Sequence, residues 1–213
     1  MPRLGRFGWK AGKAKVAHQV AGAFNTDMGV MTSVMPKPDC GSEQTNCGNA
    51  SGSELADSNL VHLVDYISLL GVVARRDYSD PEALRGENLF AAAGCAACHA
   101  PTVTTGAYHP KRELRSQTIH PFTDLLLHDM GPGLADNLPE GLASGSEWRT
   151  APLWSISLSD SVSGGASYLH DGRARTLKEA ILWHGGEAEK AANNFKAMPA
   201  GDADAVIKFL KSL

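Results

Sequence analysis

No stretch of this chain constrains it more than Gly94-Cys95-Ala96-Ala97-Cys98-His99. Cys-x-x-Cys-His spaces two thiols to meet the two vinyl groups of a haem and turns the following histidine beneath the iron. The sequence therefore predicts one covalently attached haem c, held at Cys95 and Cys98, with His99 as the proximal iron ligand. Cysteines at this spacing also serve as a redox dithiol or as half of a zinc site. A thioredoxin-like pair sits in a strand-helix-strand pattern, and zinc wants a second Cys/His pair at ligand spacing; neither context accompanies this motif.

Composition bounds what surrounds the haem. With 213 residues, 43% of them hydrophobic, and a formal charge of -3, the chain has the make-up of one or two soluble globular domains. No basic excess points to nucleic acid, and no apolar run reaches the ~18 residues of a transmembrane segment. Met1-Pro2-Arg3-Leu4-Gly5-Arg6 lacks the apolar core and cleavage site of a secretory signal, so an exported protein would already have lost its signal. Cys40 and Cys47 lie in a Gly/Ser/Asn/Pro-rich segment, Pro36 to Gly52, where a bridge would staple a loop with little core of its own. Such a bridge, like haem attachment, predicts an oxidising, periplasmic or otherwise exported location.

Trp9 to Phe24 is rich in Ala, Lys and Val and predicts a helix ended by Asn25-Thr26-Asp27. A second helix is expected from about Ser53 to Leu70, with Leu60, Val61, Val64, Ile67 and Leu70 forming a buried stripe and His62 off it, solvated or capping. Asp80-Pro81 then makes a helix start, and a boundary is placed there. Residues 1–79 read as an N-terminal helical extension with a Gly/Ser/Pro-rich loop. Residues 80–213 read as a cytochrome c-like haem domain in a chain that is mainly α.

In that second part, Leu84, Gly86, Phe90 and Ala93 lead into the haem motif, and Asp202 can cap a last helix carrying Val206, Phe209, Leu210 and Leu213 at i, i+3, i+4 and i+7. The two helices are expected to cross at Gly86, with Phe90 and Phe209 filling the contact. Between them Pro101, Pro110, Pro121, Pro132, Pro139 and Pro152 interrupt regular pattern. A long loop of this kind is expected to wrap the haem, with the leucines of Phe122 to Asp129 lining it or the core.

Phe122-Thr123-Asp124-Leu125-Leu126-Leu127-His128-Asp129-Met130-Gly131, Glu147-Trp148-Arg149-Thr150-Ala151-Pro152-Leu153-Trp154, Tyr168-Leu169-His170-Asp171-Gly172-Arg173-Ala174 and Gly5-Arg6-Phe7-Gly8-Trp9-Lys10 carry a resemblance over nearly the whole chain. They resemble the di-haem oxidoreductase family, sometimes called thiol oxidoreductase, which is related to bacterial di-haem cytochrome c peroxidases and MauG. The resemblance implies two haem motifs per polypeptide. This chain has one, and looks like the C-terminal half, so residues 1–79 would be a remnant of, or link to, a first haem domain that a cut chain has lost or a separate chain supplies.

Distal candidates are Met28, Met130, Met198, His109, His120, His128, His170 and His184. Thr176-Leu177-Lys178-Glu179 is a capping box that starts a helix at Leu177, and Gly185-Gly186 ends it, leaving His184 as its last residue. In the peroxidase relatives a methionine or tyrosine follows the segment that resembles His170 to Ile181; His184 occupies that place. The sequence thus favours His184 as distal ligand, with Met130 as the alternative. His128 and His170, each beside an aspartate, read as hydrogen-bonded supports. Arg149, Arg173 and Arg175 are candidate propionate contacts or surface cations, and Trp148, Trp154 and Trp183 are core residues or relays.

Two functions follow. One is an electron-transfer domain within a di-haem oxidoreductase-like system, serving a redox partner protein or partner haem domain and showing little catalysis by itself. The other is a peroxidase or thiol oxidoreductase acting at an open haem iron.

Overall fold

A computed structural model of the chain describes residues 3–44 and 52–213 and divides into two units, residues 1–71 and 72–213. The fold is mainly α. Seven α-helices and two short antiparallel ladders lie among the described residues, and no described helix is long and apolar enough to cross a membrane.

In the first unit the helix expected from Trp9 begins only at α1 (Val16–Met28). Gly8 and Ala11 take left-handed φ of 83° and 53°, and Arg6 N–H donates to the Lys13 carbonyl at 2.8 Å, so residues 6–13 fold back on themselves instead. At its other end α1 runs through Asn25-Thr26-Asp27 to a left-handed cap at Gly29. Asn25 does not stop the helix because it is buried and donates to the Lys37 carbonyl at 2.8 Å. The second helix, α2 (Asp57–Ser68), buries Leu60, but Val61, Ile67 and Leu70 are exposed, which corrects the predicted buried stripe. His62 is exposed. The expected Cys40–Cys47 bridge includes Cys47, which lies outside the described residues.

The second unit starts at residue 72, earlier than the boundary read at Asp80, because Arg76 N–H donates to the Ser212 carbonyl at 2.8 Å and the Arg75 guanidinium bonds Glu87 and Ser212. Asp80 caps α3 (Pro81–Ala92), accepting from Glu82 and Ala83 N–H at 2.8 and 3.0 Å. Its other oxygen takes Lys208 Nζ at 2.7 Å, tying α3 to the last helix. The chain continues through β1 (Val103–Thr104) and β2 (Thr118–Ile119), then β3 (Leu127–Asp129) and β4 (Glu147–Arg149), paired with His128 opposite Trp148. These ladders fall in the Pro-rich region where the sequence predicts only loop. The short α4 (Ser159–Ser163) follows, then α5 (Leu177–Leu182), α6 (Glu189–Lys196) and α7 (Ala200–Ser212).

Helices α3 and α7 cross as expected. A Cβ on Gly86 would overlap the Ala205 carbonyl and lie 2.9 Å from Phe209 Cβ, so the backbones approach as closely as glycine alone permits. Phe90 and Phe209 meet tilted by 59° with centroids 5.3 Å apart, and Phe122 meets Phe209 edge-on at 5.4 Å. Val206, Phe209, Leu210 and Leu213 are buried. Asp202 does not cap α7, whose N-cap is Pro199 with no side-chain bond; it pairs with Arg85 of α3 instead.

The hydrogen bond to Lys208, followed by the Ala83 N–H, holds the Asp80 carboxyl below its ordinary value of 3.8. A carboxylate with a depressed folded-state value stabilises above its unfolded value, and that contribution is lost as pH falls through the folded one. Asp80→Ala is therefore expected to lower the thermal midpoint at pH 7, with the gap to wild type closing below about pH 3.8. A gap that persists unchanged at lower pH would refute this role.

Candidate functional site

Cys95–Ala97 form one 3-10 turn after Gly94, whose φ of 96° lets α3 turn sharply into the motif. His99 N–H donates to the Cys95 carbonyl at 3.0 Å. A second segment is laced to this turn: Thr123 N–H donates to the Ala100 carbonyl at 3.0 Å and Asp124 N–H to the Cys98 carbonyl at 2.9 Å. Between Pro121 and Thr123, Phe122 takes a left-handed φ of 52°, unusual for a bulky residue, and its carbonyl meets His99 Nδ1 at 3.0 Å. A carbonyl only accepts, so Nδ1 carries the proton and Nε2 keeps its lone pair.

The other imidazole is prepared in the same way. Thr176 caps α5, its hydroxyl accepting from Glu179 N–H at 3.0 Å, while Glu179 Oε2 accepts from Arg175 N–H at 2.7 Å. The helix starts at Leu177 as predicted and ends at Leu182, with His184 just beyond it rather than inside it; a tightened bond from His184 N–H to the Ile181 carbonyl, 3.1 Å, makes the last turn. His184 Nδ1 donates to the Ala180 carbonyl at 2.8 Å, which again leaves Nε2 as the free lone pair. Gly185 and Gly186 then press against residues 129–131. A Cβ on Gly185 would lie 3.0 Å from the Met130 carbonyl, and one on Gly186 would overlap the Asp129 carbonyl.

The His99 and His184 rings stand 6.4 Å apart between centroids, 49° from parallel. A metal–nitrogen bond of about 2.0 Å plus about 1.1 Å from Nε2 to the ring centre, taken twice, comes to about 6 Å. The observed separation is close to what two imidazoles would span if both held one metal ion. Burial pushes His99 down to about 4 and lowers His184 too, so both are neutral, the form that ligates metals. Burial likewise raises the Cys95 thiol to about 11 and, with Asp124 and Glu187 nearby, raises Cys98. Both thiols are free.

Met130 sits in the same loop, its N–H donating to Ser146 O at 2.9 Å and its carbonyl packed under Gly185. Met28 is exposed, and Met198 packs against the core beside α7. His109 and His120 are exposed. His128 lies between Asp124 and Glu187, and His170 stacks on Trp148 at 3.6 Å. Arg149 is half-buried on β4, and burial lowers its basicity. Arg173 is engaged by Asp171 and the Gly133 carbonyl and lies over Trp183 at 4.7 Å, whereas Arg175 is exposed. Of the predicted lining leucines, Leu126 is exposed, and the buried residues of that stretch are Phe122 and Thr123.

Sequence reasoning missed Phe122 as the partner of His99, and Glu187 as a residue that reaches His128. The Phe122 contact carries no local signal. Glu187 directly follows Gly185-Gly186, a position from which a side chain can anchor the turn that the glycines make.

The mainly α fold brings the His184 imidazole beside the Cys-x-x-Cys-His segment, and these are the donor types that haem c uses. The chain belongs to the di-haem oxidoreductase family: the family model described as "Di-haem oxidoreductase, putative peroxidase" matches residues 2–213. No curated protein matches. A solved structure of Kuenenia stuttgartiensis hydrazine synthase is similar at 21% identity and a TM-score of 0.48, covering 77% of this chain and 57% of that one. The chain thus spans little more than half the length of that structure's chain.

Proposed function

We propose that this chain carries one haem c, bonded through Cys95 and Cys98, with His99 and His184 as its two axial ligands in a cytochrome c-like domain that transfers electrons. The observation that carries the reading is the pair of imidazoles 6.4 Å apart, each with Nδ1 committed to a backbone carbonyl. Such a haem supplies a one-electron iron couple. The rest is the work of this chain. Phe122 and Ala180 hold both rings in the tautomer that ligates, and Phe90, whose ring lies 6.0 Å from His99, keeps water from one flank. Of the three arginines Arg149 is the one we place against a propionate, because it is half-buried on β4, whereas Arg173 is engaged by Asp171 and Arg175 is exposed.

With both axial positions filled by the protein, a substrate has no open iron to reach, so the electron-transfer reading is preferred over catalysis at this haem. The natural partners are a redox protein or a second haem domain, as the two haems of the family imply. Haem attachment and a Cys40–Cys47 bridge both suit an exported protein; alkylation without reduction, followed by mass measurement, would leave those two cysteines unlabelled.

Absorption and electron paramagnetic resonance spectra of the haem-loaded ferric protein test the reading. A six-coordinate low-spin iron with two imidazoles is expected. A dominant high-spin signal would overturn it and favour catalysis at an open site.

A further inference from the structure

His128 stands between the two sides of this site. Its Nε2 lies 2.9 Å from Asp124 Oδ2, and its Nδ1 lies 2.9 Å from Glu187 Oε2. A neutral imidazole donates from one nitrogen and would turn a lone pair toward the second carboxylate, so two ionised carboxylates in this geometry favour the imidazolium. Burial opposes that charge, but the bonds to Glu187 and Asp124 outweigh it and raise His128 above its ordinary value.

Each carboxylate belongs to a different side. Asp124 is joined to the attachment motif, its N–H donating to the Cys98 carbonyl at 2.9 Å, while its second oxygen accepts from Leu126 N–H at 2.9 Å. Glu187 stands three residues after His184, past the two glycines, and its second oxygen accepts from Asp129 N–H at 3.0 Å. Neither carboxylate pairs with a lysine or arginine among the described residues. His128 is the cation that both share. The other ionisable groups near its ring are His99, whose own charge His128 opposes, and Cys98, whose sulfur lies within 4.8 Å and is a thioether once haem is attached.

His184 is held by α5 on one side; on the other, Gly185-Gly186 packs against residues 129–131, and the Glu187 carboxylate is the side-chain tie across that contact, through His128 and Asp129 N–H. We propose that His128 is a positioning residue, a cationic latch that fixes the His184 loop to the Cys98–His99 segment and so keeps the distal imidazole on the iron. The proposal rests on the reading of His99 and His184 as the two ligands.

The test uses the haem-loaded ferric chain and cyanide, which binds only after His184 leaves. His128→Gln and Glu187→Gln should each speed cyanide binding by about tenfold, and the double variant should be no faster than either, because the two residues act as one unit. His128→Lys, which returns a cation between the carboxylates, should recover much of the slow wild-type rate. Hydrogen exchange on the same samples should show the Asp129 amide losing protection in His128→Gln while the amides of α5 keep theirs. Glu187 is the more exposed end of the latch, so its variant answers the question even if His128→Gln folds poorly. Unchanged cyanide rates in a protein whose wild-type spectrum is low-spin and bis-imidazole would overturn the latch and leave the ligand assignment standing. A high-spin wild type would overturn the ligand assignment and the latch with it.

Discussion

Gly86→Ala is expected to destabilise the haem-loaded protein by about 3 kcal/mol, the upper end of what overpacking costs and a large loss for the addition of one methyl group. On propensity alone the change should help, since alanine in a helix interior is favoured over glycine by about 1 kcal/mol. Space decides against it. The new Cβ would overlap the Ala205 carbonyl, and its next neighbour is Phe209 Cβ at 2.9 Å. Backbone cannot rotate aside as a side-chain tip can, so α3 and α7 would have to part. They are held together near the crossing by Asp80 with Lys208 at 2.7 Å and by Arg85, which reaches Asp202 and donates to the Gly201 carbonyl at 2.8 Å. Separation would also open the contact among Phe90, Phe122 and Phe209. Gly201→Ala supplies the control: it lies in the first turn of α7 with nothing within 4 Å of a new Cβ, and should be neutral or stabilising by up to about 1 kcal/mol. Chemical or thermal unfolding of the two variants should thus move in opposite directions. Equal effects would mean that the close approach at Gly86 is not what holds the crossing.

What the sequence made legible here is what is encoded within a few residues. Asp80-Pro81 and the Thr176 to Glu179 box are local signals, and each marks the helix start it predicts, whereas α5 stops at Leu182, short of the end read at Gly185-Gly186. Gly86 was legible because two strongly patterned helices had to meet somewhere and only one glycine lay at the right point. Long-range choices were not legible. Asp202 is as good a cap as Asp80 in sequence, but Arg85, over a hundred residues away, takes it as an ion-pair partner. Asn25 reads as a helix stop until Lys37 offers it a carbonyl. The Phe122 contact is the sharpest case. A phenylalanine disfavours positive φ, yet the bonds from Thr123 and Asp124 to residues 98–100 on one side, and from Leu153 N–H to the Pro121 carbonyl on the other, overdetermine that backbone and aim its carbonyl at His99. The β3–β4 pairing escaped notice for a similar reason, since three-residue strands carry almost no periodic signal, and their register comes from partners twenty residues apart.

His184→Ala should have the largest effect on the haem itself. If Nε2 of His184 is the distal ligand, its removal leaves one protein ligand at His99, and the ferric spectrum should shift from low spin to predominantly high spin. The reduction potential should rise, on the order of 0.1 V within the roughly 0.8 V that axial ligation spans, because the lost imidazole favours the ferric state. Added imidazole should restore the low-spin spectrum, since the variant leaves the space of one ring beside helix α5, which keeps its Thr176 cap and loses only the ring's bond to the Ala180 carbonyl. Met130→Ala is the discriminating partner. Met130 lies in the loop under Gly185, close enough in the chain's path to be an alternative ligand, but what the structure gives this loop is backbone packing: its N–H to Ser146 and its carbonyl against Gly185. Both contacts survive truncation to alanine, so that variant should stay low-spin with an unchanged potential. If Met130→Ala opens the iron and His184→Ala does not, the thioether is the ligand. The 6.4 Å separation of the two rings would then be a consequence of packing alone.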